Sequence, residues 1–174
     1  MAPFHSYVVG LSAAIEVVSP RRILEWGPGH STSLFLATPC VEIIDCIEHK
    51  EKWYNILREQ LKHVPKANEK ILNLCYFPDL KDRYVNYLTG PYDLIFVDGR
   101  QRTRCLKKAK ELLDPAGLVV IHDAERTPYH FAIREWPFYQ FTERQEIAVM
   151  SFDPNRIREW NEIMRLKCLT TPSS

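Results

Sequence analysis

The chain has 174 residues, 45% of them hydrophobic and 26% charged, an ordinary composition for one folded domain with a single sizeable core. A formal net charge of +1 offers nothing to a phosphate backbone, which calls for an extended basic surface, or to an anionic membrane. The five cysteines (Cys40, Cys46, Cys75, Cys105 and Cys168) are odd in number and form no C-x-x-C pair. That spacing argues against a zinc cage and for a reducing, cytoplasmic setting.

Residues 1–20 read as an N-terminal helix, because Tyr7, Leu11, Ile15 and Val18 recur at helical spacing. The stretch lacks the basic start of a signal peptide and is interrupted by Glu16. No apolar run reaches membrane-spanning length. Residues 21–152 form the expected core. Strand-length apolar runs stand at Ile23–Glu25, Val41–Ile47, Ile71–Cys75, Tyr92–Val97 and Leu118–Ile121. Between them lie helix-like stretches at Ser33–Ala37, Lys50–Lys62, Leu80–Leu88 and Arg102–Leu113. Strands that are apolar throughout and separated by helices specify a mostly parallel sheet covered on both faces, a three-layer, Rossmann-like, doubly wound α/β fold. "LDPAG" at 113–117 supplies a helix stop and a turn. Phe138–Phe141 and Ile147–Phe152 then suit a C-terminal antiparallel hairpin. Asp153 as N-cap and Pro154 at the first helical position open a helix over 153–168, with Ile157, Trp160, Ile163 and Met164 on one stripe. Residues 169–174 read as a tail, and without repeats or linkers the chain reads as a single domain, 1–174.

Gly27, Gly29 and Gly99 fall just past the carboxyl ends of predicted strands, where open α/β sheets bind ligands. The first of these junctions is Glu25-Trp26-Gly27-Pro28-Gly29-His30-Ser31. The dinucleotide pattern G-x-G-x-x-G would need a third glycine where Thr32 stands. An acid just before the glycines suits a ligand with a cationic group better than a pyrophosphate; a plain strand–turn–helix junction is the alternative. Glu48 lies 19 residues after Gly29, at the end of the next strand. A carboxylate there can accept both hydroxyls of a ribose, or simply head the following helix. "YDLIFVDGR" ends in Asp98, and "GLVVIHDAER" ends in His122 and Asp123. Those two acids could hold a metal, act as a base or cap loops. Arg100, Arg102, Arg104, Arg126 and Arg134 gather around them, fit either to clamp a carboxylate or phosphate or to pair with the neighbouring acids.

From about Arg21 to Tyr129, "ILEWGPGHST", Glu48, "YDLIFVDG" and "GLVVIHD" in this order resemble the class I S-adenosylmethionine-dependent methyltransferases, with a distant likeness to the catechol and caffeoyl-CoA O-methyltransferases. The resemblance implies a seven-stranded sheet with one antiparallel strand near its end. It places Gly27, Pro28, Gly29 and Ser31 along the methionine part of S-adenosylmethionine, with Glu25 organising that loop and Asp98 close by. Glu48, with His49 beside it, would hold the ribose, and Tyr76 and Phe77 would approach the adenine. Asp98 and Asp123 match acids that bind a divalent metal in the catechol branch. The asparagine expected after the second acid is Ala124, however, and the expected lysine base gives way to Arg100-Gln101-Arg102. Arginine is a poor base, so both departures count against a metal-dependent mechanism. Arg100, Arg102, Arg126 and Tyr129 are the candidate acceptor contacts, with Tyr7 and His5 lining the pocket. His122 or Asp123 is the candidate base, and Asp98 completes the catalytic set. The expectation is methyl transfer to a small anionic molecule, most simply to oxygen, without nucleic-acid or membrane partners. A non-catalytic nucleotide-binding module, a nicotinamide-dependent oxidoreductase and an aminopropyltransferase are the rivals. The sequence leaves the oligomeric state open.

Overall fold

The structure, a computed structural model, describes residues 6–61 and 70–170. His5 and most of the expected tail lie outside the described residues. The elements follow the apolar runs in strict alternation: α1 (Ser6–Val18), β1 (Arg22–Trp26), α2 (His30–Ala37), β2 (Ile43–Glu48), α3 (Glu51–Leu61), β3 (Ile71–Tyr76), α4 (Asp82–Asn86), β4 (Tyr92–Val97), α5 (Arg102–Leu112) and β5 (Leu113–His122). They continue with α6 (Thr127–Arg134), β6 (Phe138–Phe141), β7 (Ile147–Ser151) and α7 (Pro154–Thr170). The strands form one seven-stranded sheet in the order β3-β2-β1-β4-β5-β7-β6. Pairing is parallel from β3 to β5, and β7 runs antiparallel to both β5 and β6. This is the expected Rossmann-like sheet with its antiparallel C-terminal hairpin.

Central strands β1, β4 and β7 are buried on both sides, which is why they read as predominantly apolar runs. Trp26, Ile95 and Val97 face a core with α5 and α6, while Ile23, Leu94 and Phe96 face a second core with α1 and α7. Helix α7 starts as the sequence predicts, the Asp153 carboxylate accepting the Asn155 N–H at 2.9 Å. Its Trp160 donates to the Gly10 carbonyl of α1 at 2.9 Å. A Cβ at Gly10 would run into Ile147 and Trp160, so the missing side chain lets α1 settle on the sheet.

Two features depart from the expectation. "LDPAG" does end a helix, but the chain enters β5 at once. Leu113 pairs with Tyr92 and Leu118 with Leu94, so the intervening residues bulge out of the ladder instead of preceding it. Helix α6 stands where no element was predicted, with proline in its first turn and only Ala132 and Ile133 buried along it. No helix among the described residues is long and apolar enough to cross a membrane.

Candidate active site at the carboxyl end of the sheet

Strand order reverses between β1 and β4, and at that point the loops leaving the two strands part on opposite sides. A cavity of about 610 Å³ opens there, bounded by the ends of β1, β2, β4 and β5 and by Tyr7 of α1.

Its floor is the turn after β1, and the two glycines of that turn differ in their surroundings. Gly27 has φ +83°, and a Cβ on it would lie 2.5 Å from the Gly99 backbone. It is glycine because two loops of the protein cross there. Gly29 has φ −169° and ψ −129°, and a Cβ on it would meet no protein atom within 4 Å. No neighbouring group excludes a side chain there, and the turn leaves open space in front of it. Thr32, standing where a dinucleotide fold would carry its third glycine, accepts the Gly29 N–H at 3.1 Å and donates to Glu25 Oε2 at 2.7 Å. The Ser31 hydroxyl bonds the other Glu25 oxygen. Glu25 is therefore wholly buried beneath the loop and braces it from below. Burial pushes its carboxyl up to about 7, against the lowering pull of the Ser31, Thr32 and Cys46 hydrogen bonds.

Glu48 ends β2 as expected and lines the cavity. Its Oε1 accepts the backbone N–H groups of His49 and Lys50 at 2.6 and 2.7 Å, which fixes the carboxylate in place. His49 stands 2.9 Å from the same oxygen, and burial lowers its pKa despite the Glu48 charge. Tyr76 is set apart from the cavity: its ring rests against Tyr54 at 5.1 Å, and Phe77 is packed into the core. Besides Tyr7 and Tyr129, the aromatic lining of the cavity includes Trp53 of α3, 39% exposed, which is not among the residues the sequence singles out. The available signal was its position one residue off the helix's apolar stripe of Tyr54 and Leu57.

Asp98, His122 and Asp123 come together at the far wall. Asp98 Oδ1 lies 3.0 Å from His122 Nδ1, and His122 Nε2 lies 3.7 Å from Asp123 Oδ1. The Tyr7 ring covers the imidazole at 4.6 Å. Asp123 adopts φ +54°, a left-handed conformation that aspartate tolerates better than most residues, and its carboxylate turns toward Arg102 and Arg126. Burial works against a charged His122. The hydrogen bond and charge of Asp98 outweigh it, with Asp123 adding, and its pKa is raised above the ordinary histidine value.

Arg102, counted from sequence among the acceptor contacts, is instead turned inward. Its buried guanidinium reaches Asp98 Oδ1 at 2.9 Å, Asp123 Oδ2 at 3.0 Å and the Gly99 carbonyl at 3.0 Å, and it also donates to the His122 carbonyl. The spacing of four residues from Asp98 brings it back over the acids. Arg126, 55% exposed, reaches Asp123 Oδ2 at 3.0 Å from the cavity side. Arg100 and Tyr129 also line the cavity, and Arg134 does not. With Lys50 and four arginines against Glu48, Asp98 and Asp123, the lining carries an excess of two positive charges.

No protein-family model and no curated protein matches the sequence. Solved structures do. A methyltransferase-like protein from Silicibacter pomeroyi superposes with a TM-score of 0.66 at 16% identity, over 94% of this chain and 95% of that one. An O-methyltransferase from Bacillus cereus in complex with SAH gives 0.64 at 16% identity, over 87% and 82% of the two chains. Spermidine synthase from Thermotoga maritima gives 0.61 at 14% identity over 85% of this chain, which spans 59% of that longer enzyme. The chain thus has the Rossmann-like fold shared by these transferases, the fold its sequence motifs resemble.

Proposed function

We propose that this protein is an S-adenosylmethionine-dependent methyltransferase that methylates a hydroxyl oxygen of a small anionic acceptor. The observation that carries the reading is the cavity at the carboxyl end of the sheet, lined together by the Gly27–Ser31 turn, Glu48, Asp98 and His122. The cofactor supplies a methyl group already activated by its sulfonium. The turn from Gly27 to Ser31 would hold its methionine part, Glu48 its ribose, and Trp53 offers a face for its adenine. Asp98, beside that floor, orients His122.

The catalytic base is His122, in preference to Asp123. Asp123 Oδ2 is already bonded by two guanidiniums, those of Arg102 and Arg126. His122 gives its Nδ1–H to Asp98, so the lone pair sits on Nε2, and the carboxylate supports the imidazolium that forms when a hydroxyl proton is taken. The positive excess of the lining, with Arg100 and Arg126 at its surface, favours an acceptor bearing a carboxylate or phosphate. The same excess disfavours a cationic polyamine and with it aminopropyl transfer. Thr32, spent on bracing the loop, disfavours a nicotinamide cofactor.

Calorimetry with S-adenosylmethionine, its demethylated product and NAD separates the classes; failure of both sulfur nucleosides to bind overturns the reading. In the same assay Gly29→Ala is expected to weaken their binding roughly tenfold or more with stability held within about 0.5 kcal/mol. Gly27→Ala is expected to destabilise the fold by more than about 2 kcal/mol, because it adds both φ strain and a backbone clash.

A further inference from the structure

We infer that Arg102 occupies the cation position of the Asp98–Asp123 pair, and that this site therefore binds no divalent metal. The three side chains of Asp98, His122 and Asp123 offer ligand atoms within 4.8 Å of one another, an arrangement that could hold an ion by spacing alone. What stands against it is how those atoms are used. Arg102 Nη2 lies between the two acids, 2.9 Å from Asp98 Oδ1 and 3.0 Å from Asp123 Oδ2, so one oxygen of each is already taken by a cation. His122 Nδ1 is directed at that same Asp98 oxygen at 3.0 Å. The guanidinium cannot easily withdraw, because backbone carbonyls of Gly99 and His122 hold its other nitrogens and the Tyr129 ring covers it at 5.5 Å.

Charge and ligand number lead to the same result. Asp98 and Asp123 carry two negative charges, and Arg102 and Arg126, both in contact with them, carry two positive ones. No negative charge is left over to attract a dication. The residue after Asp123 is Ala124, fully buried, which brings no side-chain ligand to add to the two acids. Arg102 is also the first residue of α5, so the positive end of the helix dipole faces the acids as well. A fixed guanidinium offers donors at set angles and no exchangeable site, so Arg102 is a positioning residue for Asp98 and Asp123. The inference concerns the protein's own charges and stands whether or not the methyltransferase reading does.

The test is Mn²⁺ binding to the full chain, followed by electron paramagnetic resonance and calorimetry at neutral pH. Wild type is expected to show no stoichiometric binding tighter than about 1 mM. Arg102→Met, which keeps the length and removes the charge, is expected to bind Mn²⁺ at least tenfold more tightly than wild type. A second change, Asp123→Asn, should abolish that gain. Arg102→Lys, which keeps the charge, should bind no better than wild type. If Arg102→Met does not fold, Arg102→Gln takes its place. Stoichiometric wild-type binding that is lost in Asp98→Asn overturns the inference. So does a folded, uncharged variant at position 102 that gains nothing.

Discussion

Two acid–arginine clusters sit at opposite ends of the same sheet, and one of them lines the cavity described above while the other does not. At the amino end, Asp45 of β2 is buried and saturated: it accepts from Arg22 at 3.2 Å, Tyr92 at 2.7 Å and Asn73 at 2.6 Å. The partners come from β1, β3 and, one strand beyond β1, β4, so the cluster ties β1, β2, β3 and β4 together, and none of the four residues lines the cavity. At the carboxyl end, Asp98 and Asp123 are bonded by Arg102 just as firmly, yet they share the site with an imidazole that faces open space. The chemistry of the two clusters is alike in kind. What separates structure from function is one titratable group left facing the cavity with a nitrogen to spare.

That contrast can be broken most sharply at His122. Its replacement by glutamine is expected to lower turnover by roughly a hundredfold or more, with cofactor affinity and melting temperature close to wild type. The pH–rate profile should rise through a value above the ordinary histidine pKa, as expected for a base whose folded pKa is raised and which works only when neutral. Asp98→Asn should move that limb to lower pH.

Glu25 provides the next test, as a buried carboxyl bonded by hydroxyls where Asp45 has an arginine. Its pKa is raised from 4.5 to about 7, so over that window the folded state keeps a proton the unfolded state gives up. Its contribution is fully present below pH 4.5 and is lost as pH rises through about 7, about 3 kcal/mol in all. Denaturant titrations across that range should show the decline in wild type and lose most of it in Glu25→Gln. Asp45→Ala should instead cost about 2 kcal/mol, the low side for a buried pair because Arg22 is partly exposed, and leave ligand affinity unchanged in the folded fraction. The smallest effect belongs to Arg126→Ala, expected to raise the acceptor KM by less than about tenfold with little change in kcat. A comparable fall in kcat would place Arg126 in the chemistry and blur the distinction.

Much of this is legible in the amino-acid sequence. Central strands announce themselves because burial on both faces keeps them rich in apolar residues, and Glu48, Asp98 and His122, at or just past their ends, mark the ligand edge. What the sequence concealed depends on direction and not on composition. Gly27 and Gly29 look equivalent in a string, and only the crossing of Gly27 with Gly99 distinguishes them. Arg102 looks like its neighbours Arg100 and Arg104 until Gln101, at φ +53°, starts α5 in a way that folds Arg102 back over the acids. Helix α6 was missed because it is short and buries little along its length. Trp53 was missed because a lone aromatic off the stripe looks like surface.

The bond between Trp160 and the Gly10 carbonyl joins residues 150 positions apart, and it sets an order of events. Helix α1 is made first, but the surface it needs is completed only by β7 and α7, with Ile147 and Trp160 beneath it. Tyr7, the residue that covers His122, rides on that helix. Tyr7 is therefore expected to settle over His122 only once α7 has docked, although the glycine turn and Glu48 are synthesised earlier. Shortening α7 before Trp160 would therefore reach the imidazole without touching any residue that lines the cavity.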